Sequence, residues 1–233
     1  MNHIEADFNG NIKISRELKK FLKESIKLQR RIYDAIQYKS SYKESMGLYF
    51  SNGYLISITP YAMGYVKIDY RDFVEPNAEE NDTDFYFYWS VDDFDKILES
   101  IKAGDEELFF YLQDNYELKS DVNRTIKRAF EFIEQKWNYL QNIYIPRTKV
   151  KKLWYFGVEN NNLVFRGKNE ETEQFWVSID TNFRSSTLVY NYLIGLFGSK
   201  ELLDLSLNSE ETMSLFFSNN LEIGVIGSIS QIR

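Results

Sequence analysis

Gly47-Leu48-Tyr49-Phe50-Ser51-Asn52-Gly53-Tyr54-Leu55-Ile56-Ser57-Ile58 reads as two strands joined by a tight turn. Both central residues of a type I′ turn need positive φ, and Asn-Gly accepts that conformation more readily than other pairs. Upstream, Leu18, Phe21, Leu22, Leu28, Ile32, Tyr33 and Ile36 recur at helical spacing behind Ser15, a helix-capping residue type. Downstream come a strand over 65–70, a polar loop over 76–84 and a strand over 85–89. A second helix follows from residue 92 to about 102, with Phe94, Ile97, Leu98 and Ile101 apolar, Ser90 as its cap and Gly104 as its stop. Strands over 107–112 and 116–119 close this unit.

The same order then recurs. Ser120 or Asp121 caps a helix whose apolar face is Val122, Ile126, Ala129, Phe130, Ile133, Trp137 and Leu140. Strands follow over 153–158, 163–166 and 175–179, then a helix over 187–197 stopped by Gly198, then strands over 202–207, 213–217 and 221–226. The repetition is of structure, not of residues. It fits an α+β chain of two like domains, 1–119 and 120–233, and also any α+β chain in which helices and strands alternate this way.

The formal net charge is −7, yet residues 15–31 hold Arg16, Lys19, Lys20, Lys23, Lys27, Arg30 and Arg31 against only Glu17 and Glu24. That stretch carries +5 and the rest of the chain −12. Residues 69–84 are mostly acidic. Charges sorted in this way suit one surface that attracts an anion and others that repel it. At about 100° per residue, Arg16, Lys20, Lys23, Lys27 and Arg31 share a sector opposite the apolar face, with Arg30 at its edge. A solvated face would also place charges there. Such a face usually mixes signs, whereas Lys23, Lys27 and Arg31 repeat one sign at four-residue spacing, which costs an isolated helix a few tenths of a kcal/mol per pair. A phosphate backbone would relieve that repulsion. The helix expected from residue 121 repeats the design weakly: Arg124, Arg128, Gln135 and Asn142 share a face, with Lys127 at its margin and Glu131 interrupting. There, solvated surface and phosphate contact remain equal readings.

Catalytic residue sets are missing. The chain has no cysteine, so disulfides, thiolate metal sites and cysteine nucleophiles are excluded. Its one histidine is His3, near the terminus. There is no Gly-rich phosphate loop, zinc spacing or nucleophile elbow. Asp92, Asp93 and Asp95 sit in the first turn of a helix, where carboxylates favour the dipole, and read as structural rather than metal-binding. A non-enzyme without cofactor is expected. No apolar run approaches the roughly eighteen residues that span a bilayer, and the N-terminus lacks the order of a secretory signal. A cytoplasmic protein without a membrane partner is the expectation.

From Ser15 onward the chain resembles the DNA sliding clamps, most closely the two-domain clamps of tailed phages and of the proliferating-cell-nuclear-antigen type. The resemblance rests on residues 47–58, on residues 87–101 (Phe87-Tyr88-Trp89-Ser90-Val91-Asp92-Asp93-Phe94 and the helix they open), on Tyr192-Leu193-Ile194-Gly195-Leu196, and on residues 221–229. It implies two domains of one fold, with helices lining a ring and antiparallel sheets outside. It implies a homotrimer that encircles duplex DNA without reading sequence, tethers a DNA polymerase and is placed by a loader ATPase. By the same resemblance Lys96 and Lys102 join the DNA-facing set, with Asn191 and Lys200 as the weaker second-domain counterparts. Partner peptides would dock near 113–121 and Ile226, Gly227, Ser228 and Ile229. Subunits would meet through edge strands near 107–112 and 163–177. Two other readings remain: a monomeric DNA-binding accessory protein, and a structural or adaptor protein that never touches DNA.

Overall fold

The structure, a computed structural model, describes residues 9–35, 46–74, 86–113, 127, 129–131, 133–179, 182–208, 214–219 and 223–228. The chain divides into two compact units: Met1–Ile58 with Tyr65–Ile133, and Thr59–Gly64 with Glu134–Arg233. The expected boundary at residue 119 lies outside the described residues.

Up to residue 113 the elements run β1 (Asn9–Lys13), α1 (Arg16–Ala35), β2 (Gly47–Ser51), β3 (Tyr54–Ile58), β4 (Ala62–Lys67), β5 (Phe73–Val74), β6 (Tyr86–Ser90), α2 (Phe94–Ala103) and β7 (Glu107–Gln113), all in the first unit but for the first half of β4. The strands are ordered β5-β1-β7-β6-β2-β3-β4. Asn52 and Gly53 take φ of 48° and 77°, as the expected I′ turn requires. A 3-10 turn, Val91–Asp93, leads into α2, and Asp93 Oδ2 ties its start by accepting from both the N–H and the hydroxyl of Ser90, each at 2.8 Å. Gly104 ends α2 at φ 87°. The third expected strand lies earlier than its sequence reading, at Ala62–Lys67, and Tyr70–Asp72 form a short 3-10 turn instead.

Register shows which side chains share a face. Leu48 pairs with Ser57 and Trp89, and Phe50 with Leu55 and Phe87. Phe87 and Phe110 stack with centroids 4.4 Å apart, Phe50 and Phe87 at 4.9 Å, and Phe73 meets Phe110 edge-on at 5.7 Å. The α1 helix lays Leu18, Phe21, Leu22, Ile26, Leu28 and Ile32 on this unit's core, all at 3% exposure or less. Each contributes about 1.5–3 kcal/mol, far more than the charge repulsion on the opposite side of the helix. Amid these apolar side chains Gln29, fully buried, donates through Nε2 to the Gly47 carbonyl at 2.6 Å and to Ser57 Oγ at 2.9 Å. One amide therefore locks α1 to both strands of the hairpin.

The second unit runs β8 (Asn138–Tyr144), β9 (Leu153–Glu159), β10 (Asn162–Gly167), β11 (Thr172–Trp176), β12 (Phe183–Ser185), α3 (Thr187–Phe197), β13 (Leu202–Asn208), β14 (Ser214–Asn219) and β15 (Ile223–Ser228). Two antiparallel arrangements result, β15-β14-β13-β8 and β11-β10-β9-β12. The α3 helix starts at Ser186, whose Oγ accepts the Leu188 N–H at 3.2 Å, and packs Tyr190 on Phe156 and Phe165 at 5.4 and 5.0 Å.

The helix expected to reach Leu140 is shorter. Its described residues end at Glu134, and residues 138–144 form β8, paired with β13 through Ile143↔Leu203 and Gln141↔Leu205. Spacings of four and three among Ile133, Trp137 and Leu140 mimic a helical stripe, but the ladder with β13 satisfies this backbone as a strand. The expected edge at 107–112 is β7, which lies between β1 and β6 in the strand order, pairing with β1 at residues 107–111 and with β6 at residues 112 and 113. No helix among the described residues is long and apolar enough to cross a membrane.

Replacing Gln29 by Ala strands the buried Gly47 carbonyl and Ser57 hydroxyl. Urea unfolding followed by circular dichroism should show a loss of about 2–4 kcal/mol.

Candidate nucleic-acid interface

Ser15 Oγ accepts the Leu18 N–H at 3.1 Å and fixes the first turn of α1. With Gln29 at the centre of the buried stripe, the opposite sector points to solvent. Arg16, Lys23, Lys27 and Arg31 are exposed there, and Lys20 is half-buried. The stripe read from spacing is therefore one continuous cationic surface. Two of its members have acidic neighbours: Lys27 Nζ lies 3.3 Å from Glu24, and Arg30 donates to Asp95 Oδ1 at 2.5 Å. The Arg30 side chain is 37% exposed and Asp95 80%, so water screens this pair and it is worth little in stability. Its structural effect is to join α1 to α2. Lys96 and Lys102 are exposed on α2.

The acidic residues that opened α2 to a metal reading have a different use. Asp93 accepts from Ser90 in the turn that leads into α2, Asp95 meets Arg30, and no group of three metal-ligating side chains occurs among the described residues.

Lys127 is helical and exposed, while Arg124 and Arg128 lie outside the described residues. Gln135 and Asn142, expected beside them, serve the sheet instead. Gln135 Oε1 accepts from Asn208 Nδ2, while Asn142 donates to Asp204 at 2.8 Å and accepts from the Tyr139 hydroxyl at 2.6 Å. The α3 helix carries no charged side chain at all; Asn191 is exposed on it and Lys200 is exposed beyond its end. Ile226, Gly227 and Ser228 lie in β15, paired with Phe216, Leu215 and Ser214, and Ile229 is outside the described residues.

Sequence reasoning passed over a second cationic stretch, Arg147, Lys149, Lys151 and Lys152, between β8 and β9. All four are exposed, as is Lys168 across from them. Glu159 has a distinct role: it accepts from Arg166 and from the Tyr155 hydroxyl, the latter at 2.6 Å. Burial, with this carboxylate second, pushes the Tyr155 hydroxyl up to about 12. Burial also raises Tyr190, which keeps its hydroxyl a neutral donor.

No protein-family model and no curated protein sequence matches the chain. Solved structures do. The DNA polymerase III β subunit of Thermotoga maritima superposes with a TM-score of 0.54 at 9% identity, covering 96% of this chain and 65% of that one. The DNA polymerase sliding clamp of Bacillus subtilis gives 0.52 at 10% identity, covering 98% and 66%. The Helicobacter pylori β clamp bound to a DNA ligase peptide gives 0.54 at 9% identity, covering 99% and 68%. The chain thus spans about two thirds of the length of these clamps. At such low identity it is the path of the backbone that is shared, and that path is the DNA sliding-clamp fold.

Proposed function

We propose that the chain is a non-enzymatic sliding-clamp subunit that closes into a ring around duplex DNA and tethers a DNA polymerase to it. The observation that carries this reading is the cationic surface of α1 on a clamp fold, in a chain whose remaining charge is strongly negative. Phosphate contacts made without base contacts hold a duplex yet carry no sequence information, so such a ring can slide. Arg16, Lys20, Lys23, Lys27, Arg30, Arg31, Lys96 and Lys102 form the duplex-facing set, joined by Arg124, Lys127 and Arg128.

The assembly we propose is a homotrimer, in which two units per chain and three chains make a six-domain ring closed head to tail through sheet edges. In support, β11 pairs only with β10 among the described strands, leaving one backbone edge open, and its Trp176 is 75% exposed. A closed ring needs a loader ATPase to reach DNA without free ends. Partner peptides dock near Ile226, Gly227, Ser228 and Ile229, and the protein works in the cytoplasm, in a phage-like replication setting. The peptide on the Helicobacter pylori clamp is a precedent for such docking on this fold.

Light scattering behind size exclusion should give three times 27.7 kDa. A monomer at tens of micromolar would replace the ring by a monomeric accessory protein. The Lys20, Lys23 and Lys27 triple alanine variant should retain its mass and its melting curve, since surface truncations away from buried contacts change stability by no more than about 0.5 kcal/mol each. Its log K for a linear duplex should fall less steeply with log salt, the slope dropping by roughly 0.9 per lost contact. A Lys13→Ala, Lys67→Ala control should keep the full slope, and so should binding across duplex sequences of different composition.

A further inference from the structure

The two units share a pairing skeleton. In the first, β1 pairs with β7, the strand that follows α2; in the second, β8 pairs with β13, the strand that follows α3. The β2–β3 hairpin corresponds to β9–β10, and β6, which pairs with β2 and precedes α2, corresponds to β12, which pairs with β9 and precedes α3. By this correspondence the place of α1, between β1 and β2, falls between β8 and β9. No helix stands there. Residues 145–152 cross instead as an irregular strap, Ile-Pro-Arg-Thr-Lys-Val-Lys-Lys.

The strap lies on the helix-bearing face of its sheet. The Thr148 N–H donates to the Tyr190 hydroxyl of α3 at 2.9 Å, and that hydroxyl donates to the Pro146 carbonyl at 3.1 Å. Glu173, which pairs with Phe165 on the face that Tyr190 covers, accepts from the Thr148 hydroxyl at 2.7 Å and the Lys149 N–H at 2.8 Å. Glu171 accepts the Lys151 N–H at 2.8 Å. Both carboxylates thus hold the strap by its main chain. The side chains of Arg147, Lys149, Lys151 and Lys152 remain exposed and form no ion pair among the described residues, and neither does Lys168. That is four positive charges and no negative one in six residues of an acidic protein. Lys152 holds φ 48°, a left-handed conformation that glycine adopts without strain.

We propose that residues 147–152, with Lys168, are the second unit's duplex-contacting surface, standing where the first unit has α1. The ligand is the phosphate backbone of double-stranded DNA, contacted without regard to sequence. This rests on the sliding-clamp reading, and it deepens that reading by naming where the second unit's cations come from when α3 supplies none.

The test uses the full chain and a linear duplex, whose free ends let a ring thread on without a loader. A Lys149, Lys151 and Lys152 triple alanine variant should keep its oligomeric mass and melting curve. Its slope of log K against log salt should fall by up to roughly 2.7, for three contacts. That loss should add to the loss from the Lys20, Lys23 and Lys27 variant. Lys152→Gly removes one charge while relieving the backbone, so it should melt no lower than the parent and still lose roughly 0.9 of the slope. If the parent chain does not bind duplex, the clamp reading fails and this inference fails with it. If the α1 variant loses slope and the strap variants do not, this inference alone is overturned. A strap variant that keeps its duplex slope but loses binding to poly-glutamate would overturn it in favour of an acidic protein partner.

Discussion

The basic surface depends on how α1 is turned about its axis, and one buried amide sets that turn. Apolar side chains alone tolerate some rotation, because burial is non-directional. A hydrogen bond is not so tolerant. With Gln29 donating to both Gly47 and Ser57, α1 has one orientation over the hairpin, and its centre line inward is the Gln29 side. Lys20, Lys23, Lys27 and Arg31 follow as the outward line. Among Leu22, Ile26 and Ile32 the Gln29 Nε2 makes two hydrogen bonds while its Oε1 has no partner among the described residues, so it is the donor that specifies the position of the helix that carries the charge.

The two units carry their exposed cations on different local structure. In the first, a twenty-residue helix displays cations at helical spacing and is held by six apolar side chains and one amide. In the second, a short strap has too few residues for an amphipathic helix and too little apolar surface to bury. It is held by carboxylates and a tyrosine hydroxyl acting on backbone N–H and C=O groups, and its long cationic side chains form no ion pair among the described residues. Main-chain anchoring of this kind needs no hydrophobic stripe. The α3 helix carries no charged side chain and buries Val189, Tyr190, Tyr192, Leu193, Leu196 and Phe197.

Strand order decides which edges are open for assembly, and strand order is a long-range property. The segment at 107–112 has the length and alternation of an edge strand, but β1 arrives from nearly a hundred residues earlier and covers it. Among the described strands β11 pairs only with β10, and its Trp176 is exposed.

Several features were legible without coordinates because they rest on local chemistry. The Asn52-Gly53 turn, the Ser15 and Ser90 starts, the Gly104 and Gly198 stops and the α1 stripe each depend on residues within a few positions of one another. The α+β class and the cationic face followed from these. What only the tertiary structure decided depends on partners far along the chain. Residues 138–144 became a strand because β13 offered a ladder that outweighed a misleading apolar spacing, and this removed Gln135 and Asn142 from any helical face. The four cations of residues 147–152 drew no notice as sequence, since a charge run in a loop is ordinarily solvated surface. Their place beside α3 is set by Tyr190, Glu171 and Glu173, twenty to forty residues away, and sequence spacing alone carries no signal of such a contact.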